Sequence, residues 1–282
     1  MREQYYSQRN NKDDSTIKNL DLKMLSELFL AIYHHFYDKA YFEENIGYYN
    51  SSNGFHNEYF GKLGSDKDIS SLLFRKLRKK EIWPIYNYIN SYSEDTLFDI
   101  IEFCYDNISS PIYEKKQNHL GFEVDIIVKY DSLKGKNEFR DEVNKQLSDY
   151  KDGFELDKFG NIVSKTEKGL ENIFEVEIPT EDEKIKSKIE ESIKQFRKRG
   201  ASLSERNDAV KKLADVLEHL KPKLQNVISK SDEKDLFNIA NNFGIRHMNE
   251  KQKYNYDQSV WLSWMYYFYL STIYAVLNLL EK

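Results

Sequence analysis

Apolar residues recur along this chain mostly at spacings of three and four, the period of an α-helix, and only briefly with the alternation of a strand. From Asp21 to Tyr41, the positions Leu22, Leu25, Leu28, Phe29, Ile32 and Phe36 predict an amphipathic helix. Asp68 to Lys79 predicts another, with Leu72, Leu73 and Leu77 inward and Arg75, Lys76, Arg78 and Lys79 outward. Gly47 to Gly64, with Asn and Ser around Gly54, reads as a loop. Pro84 interrupts after Trp83, and Ser93-Glu-Asp then supplies an N-cap followed by negative charge at the positive end of a helix dipole. That helix runs to about Asn107 and stops before Pro111; Asn137 to Tyr150 forms the next. Glu123 to Tyr130 is the best strand, the start of a helix being the alternative. Phe154 to Ser164 reads as a hairpin turning through Asp157-Lys-Phe-Gly160-Asn.

The C-terminal third has clearer stops and starts. Pro179 precedes a charged helix from Glu181 to Arg199, closed by Gly200. Ser202-Leu-Ser-Glu205 matches a capping box, and Val210, Leu213, Ala214 and Leu217 line one face of the helix it opens, which Pro222 limits. Ser231-Asp-Glu opens a shorter helix that Gly244 closes, and a last helix runs from about Tyr256 to the end. Short connections predict antiparallel neighbours. The expected fold is mainly α: a polar arm over 1–20, a helical domain over 21–170, and a four-helix bundle over 180–282, with a small β-hairpin between the two domains.

Few prolines and glycines, 4 and 11 in 282 residues, favour long helices over a turn-rich sandwich. The single cysteine, Cys104, excludes an internal disulfide and a Cys-based zinc cluster, and its apolar setting predicts a buried thiol. The polar, charged start from Met1 to Lys18 predicts no signal peptide, and with it a cytoplasmic location. Trp261 to Leu280 is uncharged over about the length of a bilayer span, but four tyrosines, Ser263, Ser271, Thr272 and Asn278 within it predict a core or dimer helix and no membrane. Net charge is −5, yet 181–282 holds 18 Lys and Arg against 15 Asp and Glu, so the C-terminal part is the one able to meet phosphate.

Candidate chemistry concentrates at Asn241-Asn242-Phe243-Gly244-Ile245-Arg246-His247-Met248-Asn249. A guanidinium forks onto phosphate, and an imidazole exchanges a proton near neutral pH. Together they can cut a phosphodiester without a metal, although an Arg-His pair after a helix also serves as an ordinary cap or ion-pair partner. Arg206 and Asn207 are secondary phosphate contacts, or a solvated helix start. Lys194 to Arg199 is a basic run that can touch an RNA backbone or simply end a helix. His34 and His35 are adjacent and make a poor metal pair, while His56 and His119 show no ligand spacing, so no metal and no cofactor are expected.

The runs Ala214 to Leu220, Asn238 to Gln252 and Trp261 to Leu270 resemble the C-terminal HEPN-like domain of bacterial abortive-infection proteins. Leu72 to Ile89 and Ser93 to Asp106 resemble the N-terminal domain of AbiJ-like abortive-infection proteins. The resemblance implies a dimerising helical bundle and, in many members, a metal-independent ribonuclease. Asn242 and His247 match the family's polar residue and histidine; Asn241 stands where an arginine is usual, and Arg246 is placed to supply the charge instead. On that basis His247, Arg246 and Asn242 would be catalytic, and Asn241, Asn249, Arg206 and Asn207 would contact substrate. The implied partners are RNA, a second copy of the chain, and a phage-derived trigger or an antitoxin. A module that binds RNA, nucleotide or protein without cutting is the alternative, and a purely structural interaction protein is a third.

Overall fold

The computed structural model describes residues 19–52, 55–117, 121–151, 153–165, 170, 172–224, 229–231, 234–235 and 258–280. Among them the chain is mainly helical, with three small two-stranded sheets. It divides into two compact units, 1–162 and 163–282, and the two hydrophobic cores share no residue. The polar arm falls almost wholly outside the described residues.

In the first unit, α1 (Leu22–Asp38) starts at Asp21, whose carboxylate accepts from Met24 N at 2.8 Å. Its buried stripe is Leu25, Phe29, Tyr33 and Phe36, a period of three and four. Leu28, expected inward, is exposed because the stripe turns toward Tyr33 instead. Gly47 to Gly64 is not a loop: β1 (Gly47–Ser52) and β2 (Phe55–Phe60) form an antiparallel hairpin, with Gly47 opposite Phe60. Its base is fixed by Lys62 N donating to Glu44 O and Leu63 N donating to Asn45 O. Helix α2 (Asp66–Leu77) begins with a capping box between Ser65 and Asp68 and buries Ile69 and Leu73. A one-turn α3 (Ile85–Tyr88) follows, and Ser93 caps α4 (Glu94–Asn107) through Thr96 N. Helix α4 is buried along most of its length and carries Cys104, which is fully enclosed; burial pushes its thiol pKa well up.

The ribbon β3 (Ser110–Gln117) and β4 (Glu123–Asp131) is antiparallel, with a register shift between Ile112 and Tyr113. Helix α4 ends at Asn107, before Pro111 as expected, and Pro111 then sits second in β3, where a two-stranded ribbon tolerates a missing donor. Helix α5 (Ser132–Leu147) starts earlier than its hydrophobic pattern suggests, because Asp131 caps it through Lys134 N at 2.9 Å. Its buried stripe is Gly135, Phe139, Val143 and Leu147. A Cβ at Gly135 would lie 2.6 Å from Ser110 N, so glycine lets α5 close on the start of β3. The expected hairpin is present as β5 (Phe154–Leu156) and β6 (Ile162–Ser164). Asp157 Oδ1 accepts from the amides of Phe159 and Asn161, and Gly160 takes φ +87°, with no room for a Cβ beside the Tyr105 ring.

Among the described residues the second unit holds a short α6 (Asn172–Glu175) and three long helices: α7 (Glu183–Phe196), α8 (Leu203–Leu224) and α9 (Gln258–Leu280). Helix α8 packs against both α7 and α9. It runs through Pro222, which lacks the N–H for one bond near the helix end and so does not stop it before Leu224. Leu262, Met265, Tyr266, Tyr269 and Ile273 put α9 into the core. Among the described residues no helix is long and apolar enough to cross a membrane. The shorter helix expected from Ser231 to Gly244 lies largely outside the described residues.

Candidate functional site

Two places in the molecule gather side chains with chemical capacity. The first is a cavity of about 560 Å³ in the first unit. Its walls come from α1, the start of β1, the first turn of α2 and the segment around Trp83. Tyr33 and Tyr37 project from successive turns of α1, and Tyr37 stacks on Tyr48 with centroids 6.1 Å apart. Trp83 is buried; its Nε1 donates to Asp66 Oδ1 at 2.6 Å, and its ring meets Phe103 edge-on. Tyr86 stands at the mouth, 56% exposed. The Trp83-Pro84 peptide is cis and both residues line the cavity. His34 lines it as well, whereas His35 faces a different groove with Lys39 and Glu142. Among the described residues no three His, Cys, Asp or Glu side chains converge as a metal-binding group.

The second place is the turn from α7 to α8. Phe196 stacks face to face on Tyr266, with centroids 3.7 Å apart and planes at 8°. The Arg206 guanidinium lies over Phe196 at 5.6 Å, and Arg197 lies over Phe174 at 4.6 Å. Arg197, expected at a solvated helix end, is 5% exposed, because α7 stops at Phe196 and folds it inward. Arg206 Nε and Asn207 Oδ1 are buried without a hydrogen-bond partner among the described residues. The α8 capping box is present: Ser202 N donates to Glu205 Oε2 at 2.8 Å, and Glu205 N donates to Ser202 Oγ at 3.2 Å.

Lys198, which reaches Glu205 Oε1 at 2.6 Å, and the Ser202 amide and hydroxyl hold the Glu205 pKa down to about 2. A lowered carboxylate pKa stabilises above the ordinary value near 4.5, and that contribution is lost as pH falls through the folded value. Glu205→Gln therefore separates from the wild type in urea midpoint above about pH 4.5, and the gap closes toward about pH 2. A gap that stays constant from pH 7 to about pH 2 would contradict the assignment.

Of the residues singled out in the sequence, Arg206 and Asn207 stand together at the start of α8. Asn241, Asn242, Arg246, His247 and Asn249 lie outside the described residues. The aromatic cavity was not foreseen. The sequence pattern assigns no place to Tyr33, Tyr37, Tyr86 or Trp83, and the hairpin that supplies Tyr48 reads as a loop. The only available signal was the excess of tyrosine, 21 residues, more than burial alone requires. Comparison with models of protein families, with curated proteins and with solved structures finds no match to this chain.

Proposed function

We propose that the chain is an abortive-infection protein of the HEPN type, whose C-terminal unit is a dimerising four-helix bundle that binds and cleaves RNA without a metal. The observation that carries the reading is the pair at the start of α8: a guanidinium laid over Phe196, and beside it Arg206 Nε and Asn207 Oδ1, which no group among the described residues satisfies. Arg206 and Asn207 are only partly buried, and the accessible part of the guanidinium can fork onto an RNA phosphate. The half-exposed rings of Trp261 (39%) and Trp264 (42%), followed along α9 by Phe268, give a dimer an apolar seam at spacings of three and four.

In this reading His247 takes the proton from a ribose 2′-hydroxyl, and the oxygen attacks the adjacent phosphorus. The bond to the 5′-oxygen breaks and that oxygen takes up a proton from water, leaving a 2′,3′-cyclic phosphate and a 5′-hydroxyl. Arg246 steadies the charge that builds on the phosphate, and Asn242 orients it, with Asn241 and Asn249 as further contacts. A phage product or the loss of an antitoxin would be the trigger. Expression in bacteria tests this: the wild type is expected to halt growth and fragment RNA, and His247→Ala to do neither. Equal behaviour of the two would remove His247 from catalysis. Asn241, where the family carries arginine, favours a second reading in which the unit binds RNA without cutting it. Intact RNA retained by the wild type, with retention lost in Arg206→Ala, would establish that one.

A further inference from the structure

We infer that the aromatic cavity of the first unit is a binding site for a small organic cation, an alkylated ammonium group. Six aromatic rings line it, those of Tyr33, Tyr37, Tyr48, Phe60, Trp83 and Tyr86, together with the imidazole of His34 and the carboxylate of Asp66. Among the described lining residues there is no Lys or Arg. Aromatic faces carry the negative end of the ring quadrupole and attract a cation, most strongly where water is excluded. A phosphate or carboxylate entering here would meet the fixed charge of Asp66, opposed among the described lining residues only by the imidazole of His34. A neutral apolar guest would gain nothing from the carboxylate.

The walls are already formed. Tyr33 is buried and packed on Phe42, and Trp83 is held between Asp66 and Phe103, so neither ring has to be recruited by the ligand. Asp66 lies in the first turn of α2, where the helix dipole favours a negative charge. Burial first, and then Cys104, Tyr37, Asp66 and Tyr86, push the Tyr33 hydroxyl well above the ordinary tyrosine range. The volume, about 560 Å³, falls within the range of small-molecule sites and leaves space beyond a trimethylammonium head for a short tail.

This site is independent of the RNA reading and of the second unit. The test uses the full chain and choline, followed by calorimetry, with the neutral isostere 3,3-dimethylbutan-1-ol as the comparison. Choline is expected to saturate one site, and the isostere, identical in shape but uncharged, to bind at least about tenfold more weakly. Asp66→Asn keeps an oxygen for the Trp83 bond while removing the charge, and is expected to weaken choline about tenfold. Tyr86→Ala alters a side chain at the exposed mouth, leaves the core in place, and is expected to weaken choline severalfold. Equal binding of choline and the isostere would overturn the inference. So would unchanged binding in Asp66→Asn, or the absence of binding by the folded wild type at tens of millimolar.

Discussion

Tyr266→Ala is expected to lower the stability of the C-terminal unit by about 3–5 kcal/mol, the cost of an aromatic-to-alanine change in a packed core. Tyr266 is fully buried on α9, stacked flat on Phe196 and within 6.3 Å of Phe174, so its ring joins three elements of the unit. Its hydroxyl matters less. Ser192 Oγ donates to Ala209 O at 2.8 Å and lies at 3.4 Å from the Tyr266 hydroxyl, a long and weak second contact. Tyr266→Phe should therefore cost no more than about 1.5 kcal/mol. Urea unfolding followed by circular dichroism separates the two. A Tyr266→Phe loss as large as that of Tyr266→Ala would show that the polar contact, not the stack, holds the helices together. Because the two cores share no residue, the change should appear in the transition of this unit.

Phe139→Ala should cost the N-terminal unit a similar amount, about 3–5 kcal/mol. Phe139 is fully buried on α5 and makes edge-to-face contacts with Phe29, Phe36 and Phe42, at centroid distances of 6.5, 5.5 and 6.3 Å. These rings come from α1 and the turn after it, and are pinned by neighbours of their own, so they cannot collapse fully into the space left behind. The vacancy is apolar and shaped like a ring; such cavities stay dry and admit benzene. Saturating benzene should restore part of the loss in Phe139→Ala and leave the wild type unchanged. A loss below about 1.5 kcal/mol, with no response to benzene, would mean that the cluster repacks around the missing ring.

Where a residue announces its role through its immediate neighbours, the sequence reading and the structure agree. Ser93 and the Ser202/Glu205 box start helices where they should, because capping is settled within four residues. The Asp157 to Asn161 turn makes its hairpin for the same reason. Disagreement appears where tertiary surroundings decide. Gly47 to Gly64 lacks the alternation of a strand, yet its backbone pairs because the loop from Gly61 is fastened to Glu44 and Asn45. Pro222 breaks a helix only in its middle, and it stands in the last turn of α8. The cavity was illegible because its walls are drawn from Tyr33 to Tyr86 and converge only after folding. Arg206 and Asn207 were legible as polar residues at a helix start, but the ring beneath the guanidinium was not.

The β3–β4 ribbon bears on how the chain behaves in crowded solution. Among the described residues only these two strands pair in it, and beyond Ser110, where α5 closes on β3, it displays Ile112, Tyr113, Val124 and Val128 to water. Such a ribbon is a template for stacking into fibrils unless something repels the next copy. Glu114, Lys115 and Lys116 on one strand and Glu123, Asp125 and Lys129 on the other are that deterrent, so these exposed charges guard colloidal solubility although they add almost nothing to the folded state.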